Sequence, residues 1–309
     1  MKTFYSEHFK LKEIADGIFA AIDSGRGALG NAGIIDMGGF TVVVDTMMTL
    51  QAAADLKSAA QALIGKPIKY VATTHCHGDH VRGNQLFDEA AIISTPSTYE
   101  AMKERIMPQV KMQIENESAY LSMLTGQLET EKNEEKRSEL RSSITLVEEI
   151  AKTIHDFSLR LPDVTFEDKL TIAGSTRTLE LLHFGSAHSI SDTVVWLPDD
   201  KVVFAGDLLF VESFPSFQEG NYRRWNRVLD ELNKLPFTCA VPGHGGVGGK
   251  EDIQHLKELI EHMIQAGDAI SAESAAEQLL IPDKFAKWSA QSLFFRNVKK
   301  VFNDRQPDK

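Results

Sequence analysis

The chain has 309 residues, 42% of them hydrophobic and 25% charged, enough for one large core or two small ones. A formal charge of -11 argues against nucleic acid or anionic lipid as the main partner and points to a small-molecule substrate. Cys76 and Cys239 are too few and too far apart for a disulfide framework, Met1 to Asp16 lacks the apolar core of a signal peptide, and no stretch approaches the ~18 apolar residues of a membrane span, so no membrane association and a cytoplasmic location are expected.

Strand-like runs open the chain at Ile18 to Ile22, Gly33 to Asp36 and Phe40 to Asp45, with Gly-rich turns at Gly25-Arg26-Gly27 and Gly38-Gly39. Gln51 to Ile64 follows as a helix, with Leu56, Ala59, Ala60 and Leu63 on one face and Gly65 and Pro67 as its stop. The apolar run Ile68 to Thr73 is the next strand. It leads directly into Thr74-His75-Cys76-His77-Gly78-Asp79-His80, three imidazoles and a carboxylate within six consecutive residues.

Such a run is a metal site in outline. Imidazole and carboxylate are the usual protein ligands of zinc, and a turn leaving a rigid strand can aim alternate side chains at one ion and adjacent ones at another. Alternation turns Cys76 away from the His75/His77 face and into packing.

Another buried strand is expected at Ala90 to Ser94, and then a helical segment from about 98 to 161. Val110, Ile114, Leu121, Leu124 and Leu128 recur at helical spacing, as do Leu140, Ile144, Val147, Ala151, Ile154 and Phe157. The mixed-charge run Glu129 to Arg141 between them reads as a solvated hairpin tip or an exposed helix middle. Such an insert serves either as a lid or wall over the site or as a packing and homodimer surface.

Short β runs return at Leu170 to Ile172, Thr178 to Phe184, Thr193 to Leu197, Lys201 to Ala205 and Cys239 to Val241. Several of them end next to a candidate ligand: His188, Asp207 after Ala205-Gly206, and His244 after Pro242-Gly243. Amphipathic helices are expected at Glu251 to Ile264 and Pro282 to Phe302. Strand blocks separated by helices fit a layered α/β fold.

With His75-x-His77-x-Asp79-His80, His188, Ala205-Gly206-Asp207 and Pro242-Gly243-His244-Gly245 in that order over Ile18 to Gly246, the sequence resembles the metallo-β-lactamase superfamily. The resemblance implies an α/β fold, a four-layer αβ/βα sandwich, forming a single domain over 1–309 with C-terminal helices at about 251–302. It also implies a ligand set: His75, His77 and His188 for a first metal, Asp79, His80 and His244 for a second, and Asp207 bridging both. Two Zn2+ are the expected cofactors, and a His/Asp site also accepts Mn2+ or Fe2+.

Two ions ~3.5–4 Å apart can share a hydroxide and polarise the scissile bond, so the expected chemistry is hydrolysis without a side-chain nucleophile. Asp79 is the expected catalytic residue, orienting the nucleophile or carrying its proton. Ser186, Ser189 and Ser191 are then loop residues, and Asp192 is a candidate partner for the free N–H of a ligand histidine. Dedicated β-lactamases of the superfamily generally carry Cys or Ser at the position of Asp207. The resemblance therefore runs to the broader branch of glyoxalase II-like thioesterases and lactonases, with a thioester, lactone or related small carbonyl compound as substrate.

Phe210, Phe214, Phe217, Tyr222 and Trp225 occupy what reads as a loop, either lining an acyl pocket or packing beneath it, and Tyr222 is the one candidate substrate contact. His8, His155, His255 and His262 are expected on solvated faces, and His183 as structural. Two alternatives stay open at this stage: a mononuclear Fe(II) persulfide dioxygenase, which shares the His-x-His-x-Asp-His run, and a non-catalytic binding module stabilised by metal.

Overall fold

Alternate residues of the first strands go to opposite sides of one sheet. In β2 (Ile18–Asp23), Ile18 and Ala20 face one core and Ala21 the other; in β4 (Thr41–Val44), Val42 and Val44 part company with Val43 in the same way. The structure, a computed structural model, describes residues 4–305. Its first sheet has seven strands in sequence order, β1 (Phe9–Ala15), β2, β3 (Ala32–Asp36), β4, β5 (Ile68–Ala72), β6 (Ala91–Ser94) and β7 (Val164–Thr165). Pairing is antiparallel from β1 to β4 and parallel from β4 to β7.

A second sheet holds β8 (Lys169–Ala173), β9 (Thr178–Gly185), β10 (Asp192–Leu197), β11 (Val202–Val211) and β12 (Cys239–Gly245) in spatial order β12-β11-β10-β9-β8. Only β11 and β12 are parallel. Ile35, Val42, Val44 and Ile93 of the first sheet meet Leu179, Leu181, Val195 and Phe204 of the second in the central core. Gly33 lets them close: a Cβ there would strike the Phe204 ring.

Helix α1 (Leu50–Leu63) covers the outer face of the first sheet through Ala52, Ala53, Leu56, Ala59 and Ala60. Thr49 caps it by accepting from the Ala52 N–H. Helices α5 (Tyr222–Asn233), α6 (Lys250–Ala269) and α7 (Ser292–Asp304) cover the second sheet. The result is the expected four-layer α/β sandwich, with additional helix at the C-terminal end. Helix α2 (Gly78–Val81) is a single turn carrying Asp79 and His80.

The insert is α3 (Pro96–Thr130) folded back on α4 (Glu134–Ala151), so the charged run at 129–141 covers the hairpin tip at 131–133 and the first two turns of α4. Asn133 starts α4 by accepting from the Lys136 N–H. Ala101, Met102, Ile106 and Val110 of α3 pack against Cys76 and Val81 beside the metal loop. No helix among the described residues is long and apolar enough to cross a membrane.

Some expectations are corrected. Strand β11 does not stop at Ala205 but runs on to Val211, fully buried, because its Asp207 is turned inward. The aromatic segment after it is no loop throughout, since Tyr222, Trp225, Val228, Leu229 and Leu232 line the buried face of α5. The last helix starts at Ser292 and not near Pro282, where only a 3-10 turn at Asp283–Phe285 forms. Strand β1 lies in a segment whose mixed composition gave no strand signal.

Candidate metal centre

Strand β5 ends at Ala72, and Thr73 and Thr74 carry the chain to the tips of the two sheets. There the Thr74 N–H and hydroxyl both donate to Asp45, at 2.8 and 2.7 Å. The same Asp45 carboxylate lies 2.8 Å from His80 Nδ1, which fixes that ring with Nε2 directed at the centre. The His80 carbonyl accepts from Thr46 N–H at 2.8 Å, closing the one-turn helix onto the loop after β4.

Three imidazoles then converge. His77 Nδ1 is 3.0 Å from His75 Nε2 and 2.9 Å from His188 Nε2. A ring nitrogen offers a single in-plane position, either one proton or one lone pair, so His77 Nδ1 can satisfy only one of its two neighbours. Nitrogens bound to one ion at ~2.0–2.1 Å have a comparable mutual spacing, and a shared cation removes the conflict.

The second group adjoins it. His244 Nε2 lies 3.2 Å from Asp79 Oδ2 and His80 Nε2 lies 3.5 Å from the same oxygen. Asp207 stands between the groups, Oδ2 at 3.1 Å from His188 Nε2 and 3.3 Å from His244 Nε2, Oδ1 at 3.2 Å from His80 Nε2. Despite that closeness, His80 Nε2 and Asp207 Oδ1 are buried and make no hydrogen bond. Two buried polar atoms aimed at one space without a bond is the arrangement a cation completes.

The electrostatics agree. Burial opposes charge on His80, yet Asp79 and Asp207 raise its proton affinity well above the usual imidazole range. Burial likewise disfavours the Asp79 and Asp207 carboxylates, but the surrounding imidazoles hold both well below theirs. For His244 the balance of burial against Asp207 and Asp79 comes out at about 10. His75, by contrast, is pushed well down by burial and by its neighbour His80. His80 and His244 thus draw protons opposite the two carboxylates, and a divalent cation would supply the same positive charge at that place.

Close approach of backbone to these groups depends on glycine. Gly206 sits at φ +52° with Thr74 2.7 Å from where a Cβ would be, and a Cβ on Gly243 would overlap Asp207 Oδ1. Asn31 closes the other side, donating from Nδ2 to the carbonyls of Pro242 and Gly245 at 2.9 Å each. Phe210 of β11 stacks on His244 at 5.1 Å, and Trp225 of α5 meets His188 edge-on at 5.3 Å, so these two rings wall the centre.

All seven sequence-derived residues, His75, His77, Asp79, His80, His188, Asp207 and His244, thus come together. Cys76 packs away from them as expected, buried beside Ala101 and Met102 with its thiol pushed up by burial to about 12. Ser186 and Ser189 are spent on the loop, and Ser191 bonds Thr95 and His183.

Three assignments change. Asp192 does not orient a histidine ring: it accepts from the Ala187 and Ser189 N–H groups and so shapes the backbone that carries His188. Tyr222 is not free to contact a substrate, because its ring stacks on Phe217 at 4.8 Å and its hydroxyl donates to Asp304 at 2.9 Å. His8 is buried rather than solvated, its Nδ1 2.5 Å from the Arg26 carbonyl oxygen.

The sequence reading missed Asp45, Asn31 and Glu219. Glu219 lies 3.2 Å from His77 Nε2 and pairs with Arg105 of α3, and the His77 contact, ahead of the opposing effect of burial, holds its carboxyl down at about 2. Asp45 closes a strand as many structural aspartates do, and nothing local marks the other two.

Comparison with known proteins places this geometry. The family model described as the metallo-beta-lactamase superfamily matches residues 25–244. A Metallo-beta-lactamase type 2 from Bacteroides fragilis is 32% identical over 114 residues, 35% of this chain and 45% of that protein. A Linear primary-alkylsulfatase from Pseudomonas sp. is 24% identical over 234 residues, 72% of this chain and 43% of that protein. The matches span less than half the length of either curated relative. Among solved structures, a metallo-beta-lactamase from Pontibacter korlensis superposes with a TM-score of 0.60 at 16% identity, covering 82% of this chain and 99% of that one. The DIM-1 metallo-beta-lactamase gives 0.59 at 18% identity, covering 82% and 98%. At that identity the two structures speak for the fold alone.

Proposed function

The chain belongs to the metallo-beta-lactamase superfamily of hydrolases, and from that premise we propose that it works through two divalent cations, zinc first among them. In this reading His75, His77 and His188 hold one cation, Asp79, His80 and His244 the other, and Asp207 stands between them. The observation that carries it is the pair of unpartnered buried atoms, His80 Nε2 and Asp207 Oδ1, facing one cavity with three imidazole nitrogens crowded beside them.

When bound, such a pair supplies Lewis acidity and lowers the pKa of a water molecule towards ~7. The chain's own residues do the rest. Asp79, the more exposed of the two central carboxylates at 13% against 4% for Asp207, is placed to orient the attacking water and to take its proton towards the leaving group. Asp207, buried, keeps the two histidine groups in register. Phe210 and Trp225 exclude water from one wall, which strengthens each electrostatic contact inside.

The substrate we propose is a thioester, lactone or related small carbonyl compound. A sulfate ester is the second reading, favoured by the match of 72% of the chain to a linear primary-alkylsulfatase. Native metal analysis followed by a panel of thioesters, lactones, esters, lactams, phosphodiesters and alkyl sulfates tests both. Close to two metals per chain with turnover of a carbonyl substrate is the expected result. Fully metal-loaded protein inert to the whole panel would overturn the proposal, and oxygen uptake with glutathione persulfide and one Fe(II) per chain would replace it.

A further inference from the structure

His77 is the most exposed of the three imidazoles that meet at the first cation position, with 26% of its side chain accessible against 1% for His75 and 2% for His188. Its Nδ1 faces the other two rings, so the ring is held in that orientation by whatever grips the opposite nitrogen. That group is Glu219. Oε2 lies 3.2 Å from His77 Nε2, while Oε1 accepts from Arg105 of α3. The carboxylate is thus divided, one oxygen on the ligand ring and one on the insert.

Both ends of this chain of contacts are anchored. Arg105 sits among Ala101, Met102 and Ile106, which are buried against Cys76 and Val81 beneath the metal loop. Next to Glu219, Gly220 adopts φ +68° with the Ala187 and His188 carbonyls where a Cβ would be, and the Asn221 N–H donates to the Ala187 carbonyl at 2.9 Å. The segment carrying Glu219 is therefore pinned to the loop that carries His188. A second tether joins the same helix to the metal loop: Arg82, buried three residues after Asp79, donates to Gln113 of α3 at 2.7 Å.

We infer that the insert is a positioning element for the first cation: Arg105 holds Glu219, and Glu219 fixes the His77 ring with Nε2 protonated and Nδ1 turned to the centre. A carboxylate on the remote nitrogen of a ligand imidazole selects the tautomer and raises the basicity of the ligating nitrogen. Cys76, His77 and Glu219 are close enough to suggest a separate metal site, but both Glu219 oxygens are occupied and the Cys76 thiol is buried in apolar packing. The inference rests on the two-cation reading above and assigns the helical insert a role in it.

Cobalt(II) titration of the metal-free protein against a competing chelator, read by affinity for each equivalent and by the visible absorption of bound cobalt, tests this. Glu219→Ala is expected to weaken one of the two equivalents by about 10–100-fold and alter its absorption band. Arg105→Gln should weaken the same equivalent by less, and Arg105→Lys, which keeps the charge, should restore most of the loss. Melting temperatures of the metal-free variants should match the parent. Retention of parent affinity for both equivalents in Glu219→Ala overturns the inference, as does equal weakening of both together with a lower metal-free melting temperature in Arg105→Gln, which would make the contact merely structural. A parent protein that binds no cobalt defeats the two-cation reading itself, an outcome distinct from either.

Discussion

The two sheets furnish the metal centre in opposite ways. One loop leaving β5 supplies His75, His77, Asp79 and His80, whereas His188, Asp207 and His244 come one at a time from the β9–β10 connection, β11 and β12. The loop has little backbone pairing of its own at this point, so it is braced by side chains, above all Asp45. On the second sheet backbone places two of the three ligands, Asp207 within β11 and His244 paired with Phe210 in register, while the loop carrying His188 is held by the Asp192 side chain. Ligands set by a strand should be sensitive to volume, and ligands set by a loop to charge.

The sharpest way to break this comparison is Gly243→Ala. The new methyl would overlap Asp207 Oδ1 and lie 2.9 Å from the Asp207 backbone nitrogen. Overpacking of this kind costs about 1–3 kcal/mol, and the upper end is expected here. Because Asp207 faces both histidine groups, the two-cation proposal expects both metals to be lost and activity with them. Metal analysis and thermal melting check this; a variant retaining two metals and the parent melting temperature would show that strand placement is looser than the geometry indicates.

Next in size is Asp45→Asn, which keeps the volume and removes the charge. An amide offers one acceptor where the carboxylate takes bonds from the Thr74 N–H, the Thr74 hydroxyl and His80. If its NH2 faces His80 Nδ1, the ring must move its proton to Nε2, the atom that faces the cavity. We expect about 10–100-fold weaker binding of the second cation, with the first nearly unaffected, and a stability loss of about 1–3 kcal/mol from the unsatisfied group. Chelator competition separates the two equivalents. Unchanged affinity for both would remove the distinction between loop-set and strand-set ligands.

The same contrast explains what could be read in advance. Four ligands within six residues at a strand end are local, and so is the helical period of the insert. His188, Asp207 and His244 were legible because each lies next to an apolar run and completes a known order. Asp45 and Glu219 act through partners 29 to 142 residues away, and nothing in their neighbours reveals that. Helix α5 could have been found: Tyr222, Trp225, Val228, Leu229 and Leu232 recur at three and four, but the aromatic run before them suggested a loop. Strand β11 was cut short because a buried carboxylate in mid-strand contradicts the apolar pattern, and it is tolerated there only because imidazoles face it.

The smallest expected effect lies at the opposite end of the first sheet, away from the metal loop. Asp36 closes β3, and Lys66 in the turn before β5 lies 2.7 and 2.8 Å from its two oxygens, with both side chains partly in solvent. Burial pushes the Asp36 carboxyl up, and Lys66, the Gly38 N–H and Arg177 together outweigh it, leaving it below the ordinary value of 3.8. A depressed carboxyl contributes stability above its unfolded-state pKa and loses it as pH falls through the folded value. Lys66→Ala should therefore cost about 0.2–1 kcal/mol at pH 7 and low salt, and the difference from the parent should shrink as pH drops below about 4 and in about 1 M salt. Paired thermal melts from pH 3 to 7 measure it. A penalty that persists at pH 3 would mean that the lysine stem, by packing, holds this end of the sheet; a penalty as large as that of Asp45→Asn would mean that the two ends of the sheet are built alike.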